Sequence, residues 1–303
     1  MKRHLAGLTS LLCSFGSAAW AQGMLSPLGP VAEAQRDHLL TVTGLTMIAV
    51  LPVLIGVPLI LWRYRRGRNA TYRPDFEYSR GLEIVMWGGP LVLVALLSGL
   101  LWRSTLALDP YRPLGPDPLE VQVVGLDWKW VFLYPEQGVA TVGTLVVPEG
   151  RPVTLKLTTD TVMQSFMVPA LSGQIYAMPG MVTTQNMLAV QTGTAEGRNM
   201  QFNGPQFAAQ SVQTEVLSEE DWSNWMQQAA TAPVLDTASY AELARAGTLA
   251  DARTLFDIAE GPVRLRLGTT DLFASIVNRY HRGTAVPATS QPGAPGFQPE
   301  ALQ

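Results

Sequence analysis

The sequence predicts two membrane-spanning helices followed by an all-β domain with C-terminal helices. Three observations lead to this fold class: two long apolar stretches before residue 103, short Val- and Thr-rich segments from residue 119, and helical patterns from residue 218. Of 303 residues, 47% are hydrophobic and 15% are charged, which is apolar-rich for a soluble protein. A net charge of -3 provides no basic surplus, so we expect no nucleic-acid partner.

Residues 1–21 are typical of a signal peptide. Basic residues precede an apolar run over 5–18 that is too short to span a bilayer, and residues 19–21 form a small-x-small cleavage pattern. The pattern predicts that the mature chain begins at Gln22. The alternative is acylation of Cys13, but Ser10 to Leu12 lacks the small residue usual before a lipidated cysteine.

A membrane anchor is expected over 22–110. The stretch 39–62 contains no charged residue, and at about 1.5 Å per residue it is long enough to cross a hydrocarbon core of roughly 30 Å. A second span over 82–102 contains Glu83 near its start and Pro90 within it. The alternative, a buried hairpin of a soluble protein, would require two such apolar helices in one core.

The segment between the two spans is strongly basic and carries only two acidic residues, Asp75 and Glu77. By the positive-inside rule this loop faces the cytoplasm, so the N-terminus and everything after residue 103 lie in the periplasm or its equivalent. Its arginines are Arg63, Arg65, Arg66, Arg68, Arg73 and Arg80.

A Pro-rich linker over 109–118 leads into the predicted β domain, 111–217. Residues 119–123 alternate apolar with polar side chains, and 144–150 with 152–157 read as strand, turn, strand. Several such units predict a sandwich or barrel.

A helical extension is expected over 218–283. Ser218 to Asp221 matches an N-capping pattern ahead of a first helix, and further helices are predicted over 240–246 and 271–282. The Pro-rich tail, 284–303, is predicted to be disordered.

The arrangement of these segments resembles subunit II of haem–copper oxidases, most closely the cytochrome bo-type ubiquinol oxidases. The resemblance is carried by Leu-Glu-Ile-Val-Met-Trp at 82–87, by Asp-Trp-Lys-Trp-Val-Phe-Leu-Tyr-Pro-Glu-Gln-Gly at 127–138, and by the segments 162–169 and 174–181. It implies that the outer domain, 111–217, is cupredoxin-like and that the chain lies in a bacterial inner membrane.

In the cytochrome c oxidase branch of that family the same domain binds a dinuclear copper centre, CuA, through cysteine, histidine and methionine ligands. Here Gln164 matches the first histidine of the pattern, and the loop 202–210 reads Phe-Asn-Gly-Pro-Gln-Phe-Ala-Ala-Gln, with neither cysteine nor histidine. Beyond the second span the sequence contains no cysteine and a single histidine, His281. We therefore expect no CuA, no other metal and no cofactor bound by this chain.

Without CuA, the resemblance implies ubiquinol rather than cytochrome c as electron donor. It also implies that the haems and copper B lie in a partner, subunit I, with smaller membrane subunits completing a complex in the bilayer. That complex would oxidise quinol, reduce oxygen to water and pump protons, so this chain is an enzyme only as one of its subunits.

Glu83 is the residue for which the sequence suggests a chemical role. A carboxylate near the end of a membrane helix is costly unless it serves a function or has a partner. The resemblance matches Glu83 to the glutamate at the mouth of the K proton pathway, and the alternative is an interfacial acid that pairs with Arg80. Trp128 and Trp130, which match aromatics near CuA, are interpreted as core packing on a strand.

Two other classes of function are considered. One is a cytochrome c oxidase subunit with an unusual metal site, which the scarcity of ligands disfavours. The other is a non-enzymatic membrane-anchored interaction or copper-delivery module. Copper delivery would use methionines that we otherwise interpret as core or interface packing: Met163, Met167, Met178, Met181, Met187 and Met200.

Overall fold

A computed structural model describes residues 23–66 and 75–281. It divides into two compact units: one holds Ala34–Asp109, and the other holds the residues before Ala34 together with those from Pro110 onward. The predicted signal peptide with Cys13, the tail and two of the loop arginines, Arg68 and Arg73, lie outside the described residues.

The two predicted spans are helices, α1 (Pro30–Arg63) and α2 (Arg80–Ala107), and both are long and apolar enough to cross a membrane. Each extends beyond the predicted limits, because polar residues at the ends of an apolar run continue the helix into the interface. Their apolar side chains are exposed, as lipid or a partner protein requires. A polar contact joins the two helices: His38 Nδ1 lies 2.8 Å from Ser104 Oγ.

The β domain contains ten strands upstream of residue 218 in the described part of the chain. They are β1 (Leu119–Leu126), β2 (Lys129–Tyr134), β3 (Val139–Val142), β4 (Thr144–Pro148), β5 (Pro152–Thr159), β6 (Gln164–Met167), β7 (Ile175–Ala177), β8 (Thr183–Leu188), β9 (Gly193–Asn199) and β10 (Ser211–Leu217).

The C-terminal extension contributes helices and strands. It consists of α3 (Glu219–Gln228), β11 (Val234–Leu235), α4 (Thr237–Leu243), α5 (Leu249–Leu255), β12 (Val263–Leu267) and α6 (Leu272–Arg279). The predicted cap is confirmed, since Ser218 Oγ accepts a hydrogen bond of 3.1 Å from Asp221 N. The extension is not purely helical, however: β12 pairs antiparallel with β3, and the helix predicted over 240–246 lies earlier, at α4.

Two sheets form a sandwich, so the expected fold class is confirmed. The described strands follow the order β11-β12-β3-β2-β1-β5-β8 in one sheet and β4-β10-β9-β6-β7 in the other. The predicted strand, turn, strand of β4 and β5 is also confirmed, but its strands belong to different sheets: β4 pairs with β10, and β5 pairs with β1 and β8.

The seven-stranded sheet is covered on both faces. Val123 and Phe132 point into the core between the sheets, whereas Val124 and Leu133 point into a second core that the extension closes with Tyr240 and other side chains. This explains why every residue of β2 is buried. A strand with two apolar faces needs a layer on each side, and the extension is the second layer.

Candidate functional site

The candidate site lies at one end of the sandwich, where the loops that resemble a copper-binding region meet. Strands β1, β5, β7 and β9 all finish there, because β1 and β5 run parallel and β6 runs antiparallel to both β7 and β9. We call this region the loop end. It comprises the β1–β2 turn, Gly143 and the segments 160–163, 178–182 and 200–210.

Four side-chain amides form a hydrogen-bonded cluster at the loop end. Gln210 Nε2 donates to Gln164 Oε1 at 2.6 Å, and Gln210 Oε1 accepts from Asn199 Nδ2 at 3.0 Å and from Asn203 Nδ2 at 2.8 Å. Gln164, Asn199 and Gln210 are each at most 3% exposed. The structure thus brings Gln164 and the loop 202–210 together.

Gly125 makes room for this amide cluster. A Cβ atom at that position would lie 2.8 Å from Gln164 Oε1 and 2.8 Å from Thr159 Cγ2, closer than real Cβ contacts. The strand β1 therefore passes the cluster without a side chain. Its carbonyl at Leu126 accepts hydrogen bonds from Gln164 Nε2 at 3.0 Å and from Gln210 Nε2 at 3.3 Å.

The chemistry of the cluster does not fit a copper ion. Gln164 Nε2 donates both to Leu126 O and to Thr161 Oγ1, so it is an N–H group without a free lone pair. Gln164 Oε1 is occupied by the donor from Gln210, and copper of the CuA type requires thiolate and imidazole ligands. Within 23–66 and 75–281, no three His, Cys, Asp or Glu side chains come together as a metal site.

The two tryptophans of the aromatic segment have different environments. Trp130 is fully buried and packs edge-on against Phe166 with ring centroids 5.2 Å apart, which confirms core packing. Trp128 is not on a strand: it lies in the β1–β2 turn with a φ of 86°, and its Nε1 donates to Asn203 O at 3.3 Å. A non-glycine residue with positive φ is held there by its surroundings, here by packing against Gly204.

The methionines are not a single packed group. Met187 is 1% exposed and belongs to the core, as predicted. Met163, Met181 and Met200 are between 40% and 53% exposed, so these three do not pack in the core, and their packing at an interface stays a prediction. All three lie at the loop end, because residues 160–163, 178–182 and 200–210 are loops there.

Lys129 is a buried cation that no sequence pattern predicted. It is 3% exposed, and its Nζ donates to three backbone carbonyls, those of Asp127 (3.2 Å), Arg245 (2.7 Å) and Gly247 (2.9 Å). Burial lowers the pKa of Lys129 to about 8, and the carboxylates of Asp127 and Asp251 limit the fall. A lysine between two tryptophans was the only signal for it in the sequence.

A buried carboxylate, Asp160, was also missed. Arg279 Nη1 donates to both of its oxygens at 2.6 Å, and the hydroxyls of Tyr240 (2.8 Å) and Tyr280 (2.9 Å) donate to one oxygen each. Burial raises the pKa of both tyrosines, so the hydroxyls remain protonated donors. The partners lie at least 80 positions away in sequence, which is why no local pattern predicted them.

Glu83 lies in the first turn of α2 and is partly exposed. Its Oε2 accepts a hydrogen bond of 3.1 Å from Trp87 Nε1, one turn later in the same helix. The described residues show no ion pair between Glu83 and Arg80, so its observed partner is an indole rather than a cation.

The sequence is similar to known proteins over most of its length, although no family model matches it. The chain is 40% identical over 226 residues to cytochrome bo(3) ubiquinol oxidase subunit 2 of Pseudomonas putida, covering 73% of this chain and 72% of the relative. It is 35% identical over 267 residues to the protein of that name in Pseudomonas aeruginosa, covering 86% and 78%. It is 37% identical over 226 residues to quinol oxidase subunit 2 of Bacillus subtilis, covering 73% and 70%.

Among solved structures, the periplasmic domain of subunit II of cytochrome oxidase from Bradyrhizobium japonicum shows 20% identity and a TM-score of 0.36, covering 39% of this chain and 95% of that chain. A chain from a cryo-EM structure of a haem–copper terminal oxidase dimer shows 15% identity and a TM-score of 0.36, covering 45% and 99%.

Proposed function

Because this chain belongs to the family of quinol oxidase subunit 2, we propose that it serves as the CuA-free second subunit of a terminal oxidase that takes its electrons from ubiquinol. The partners in this proposal are subunit I, which would hold the haems and copper B, smaller membrane subunits and the lipid bilayer. The complex would reduce oxygen to water and pump protons, and cytochrome c would not be its donor.

The amide cluster is the observation that carries this proposal. Gln164 and Gln210 stand where a copper-binding relative needs soft ligands, and they satisfy each other with a hydrogen bond of 2.6 Å. A one-electron carrier outside the membrane then has no metal on this chain to reduce. A donor oxidised within the membrane, such as a quinol, needs no such relay.

The proposed orientation places the β domain in the periplasm. Arg63, Arg65, Arg66 and Arg80 flank the inner ends of α1 and α2, which supports a cytoplasmic loop. Glu83 is then one turn inside the cytoplasmic end of α2, where water can reach its carboxyl.

We propose that Glu83 passes protons from the cytoplasm towards subunit I. A carboxyl group can take up and release a proton, and its hydrogen bond with Trp87 orients one oxygen while the other stays available. A negative charge in the first turn of a helix is also stabilised by the helix dipole. The position thus favours a carboxylate that is accessible and anchored.

Purification of the tagged chain from native membranes tests the proposed function. The expected result is co-purification of a multi-spanning haem protein, with oxygen consumption driven by ubiquinol. The copper and haem contents of the complex should match those of subunit I alone. Isolation of the chain without haem would contradict the proposal and favour an interaction module.

Replacement of Glu83 tests the proton-entry role separately. Glu83→Gln should lower turnover by at least about tenfold, since a positioned proton-transfer group contributes roughly a hundredfold or more and water replaces part of it. Glu83→Asp should retain most of the turnover, and Glu77→Gln, which changes an exposed acid just before α2, serves as the matched control. Equal turnover in Glu83→Gln and Glu77→Gln complexes with unchanged haem content would refute the role.

A further inference from the structure

The C-terminal extension contacts the loop end at several separate points. Gly247 N donates to Asp127 O at 3.0 Å, beside the contacts of Lys129 already described. Leu249 lies against Gly143, where an added Cβ would come within 2.9 Å of its Cδ1. His281 Nε2 lies 2.5 Å from Gly180 O. The extension therefore touches the β1–β2 turn, Gly143 and the segment 178–182.

The strongest of these contacts is the one at Asp160, in the segment 160–163. The carboxyl of Asp160 is fully buried, and all its donors come from the extension: Tyr240 from α4, Arg279 from α6, and Tyr280 directly after α6. The Arg279 side chain is only 15% exposed, so this ion pair is poorly screened by water. Two helices of the extension thus converge on one carboxylate.

Asp160 is also linked to the amide cluster. Its backbone N donates to Gly125 O at 3.0 Å, and Gly125 is the residue that makes room for Gln164. The next residue, Thr161, accepts a hydrogen bond of 3.1 Å from Gln164 Nε2. A shift of the segment 160–163 would therefore change the position of the amide cluster.

We propose that Asp160 is a latch through which the C-terminal extension holds the loop end, including the amide cluster, in a single conformation. Arg279 and Tyr280 are the residues through which the extension holds Asp160. In a copper-binding relative, metal–ligand bonds could cross-link such loops, whereas here hydrogen bonds from a distant part of the chain do so. The inference holds whichever electron donor the complex uses.

The energetics of a buried ion pair suggest which variants report on the latch. Burial raises the pKa of Asp160 and Arg279 opposes that rise, so removing Arg279 alone leaves a buried carboxyl without its cation, which is strongly destabilising. Replacing both partners by uncharged residues removes that penalty and tests the latch itself. Tyr280→Phe removes one hydroxyl donor and leaves the ion pair intact, so it provides a mild perturbation.

Hydrogen–deuterium exchange on the purified complex tests the latch. In Arg279→Met, backbone amides in 159–166 and 200–210 should exchange on the order of a hundredfold faster, together with those of α6. The Asp160→Asn/Arg279→Met variant should show a smaller acceleration of the same segments. Arg245→Met is the control, because its guanidinium pairs with Glu242, itself in the extension, at 2.7 Å, and with no other acid among the described residues.

Three outcomes would overturn the inference. Faster exchange in α6 without faster exchange in 159–166 and 200–210 would show that the extension docks passively. Unchanged exchange in both regions would show that the contact contributes nothing. Equal effects of Arg245→Met and Arg279→Met would show a non-specific loosening. If neither Arg279 variant assembles, Tyr280→Phe should still accelerate the same loop segments roughly fivefold, and no acceleration would count against the latch.

Discussion

Replacement of Gln210 by leucine gives a quantitative test of the amide cluster. The substitution conserves approximate volume but removes the donors to Gln164 Oε1 and Leu126 O and the acceptor for Asn199 and Asn203. Gln164 Oε1 and Asn199 Nδ2 are then left without their partners in positions that are at most 3% exposed. Asn203 is only partly buried, so its amide can turn towards water.

The expected loss of stability follows from the number of buried polar groups that are left without a partner. Each buried polar atom left without a partner costs about 1–3 kcal/mol, so two of them give about 2–6 kcal/mol. That is a large part of the roughly 5–15 kcal/mol that stabilises an ordinary domain. Gln213→Leu is the matched control: the side chain of Gln213 is exposed on β10 and, among the described residues, bonds only to Glu215, so its replacement should change the free energy of unfolding by no more than about 0.5 kcal/mol.

Urea unfolding of the purified full-length chain in detergent, followed by tryptophan fluorescence, provides the assay. The midpoint for Gln210→Leu should fall well below those of the wild type and Gln213→Leu at an unchanged slope. The Gln164→Leu/Gln210→Leu double variant should lose less free energy of unfolding than the two single variants summed, because it leaves fewer buried polar atoms without a partner. Equal midpoints for Gln210→Leu and Gln213→Leu would show that the hydrogen bonds of the amide cluster do not stabilise the domain.

Three further predictions follow from other contacts. Because burial lowers the pKa of Lys129 from 10.5 to about 8, the folded state disfavours the charged form of this side chain. Its contribution to the free energy of unfolding is therefore complete above pH 10.5, where Lys129 is neutral, and is lost as pH falls towards 8. The change amounts to about 3 kcal/mol, and urea unfolding should show that Lys129→Met lacks this slope whereas Lys156→Met keeps it. Gly125→Ala should destabilise the β domain by about 1–3 kcal/mol, because its Cβ overlaps the amide cluster; an unchanged midpoint would contradict this close packing. Ser104→Ala should weaken α1–α2 association by about 1 kcal/mol through loss of the contact with His38, and an unchanged thermal midpoint in detergent would rule this out.

Local patterns predicted the parts of the fold that depend on local physics. The apolar runs predicted α1 and α2, although polar flanking residues extend both helices beyond the uncharged stretch. The cap at Ser218 was predicted because a capping pattern spans only a few residues. Strand β12 was not predicted, since its partner β3 lies more than 100 positions earlier in the sequence.

The candidate site was predicted only where a motif carried it. Gln164 and the loop 202–210 could be identified by what they lack, but the hydrogen bonds among their amides depend on β6 and β9 being neighbours. Asp160 and Arg279 lie 119 positions apart, and nothing in the sequence predicts their pairing. An aspartate and an arginine of a buried ion pair cannot be distinguished in sequence from ordinary surface residues. Trp128 was wrongly predicted to lie on a strand. The two-residue turn needs a positive φ at this position, and a tryptophan there does not predict one.

The identity of the electron donor can be measured on the whole complex. Oxygen consumption by the purified complex is recorded with ubiquinol and, separately, with reduced cytochrome c as the only donor. Rapid, inhibitor-sensitive oxygen consumption is expected with ubiquinol, and none above background with cytochrome c. Efficient oxidation of cytochrome c, with copper bound to this chain, would contradict the proposed function.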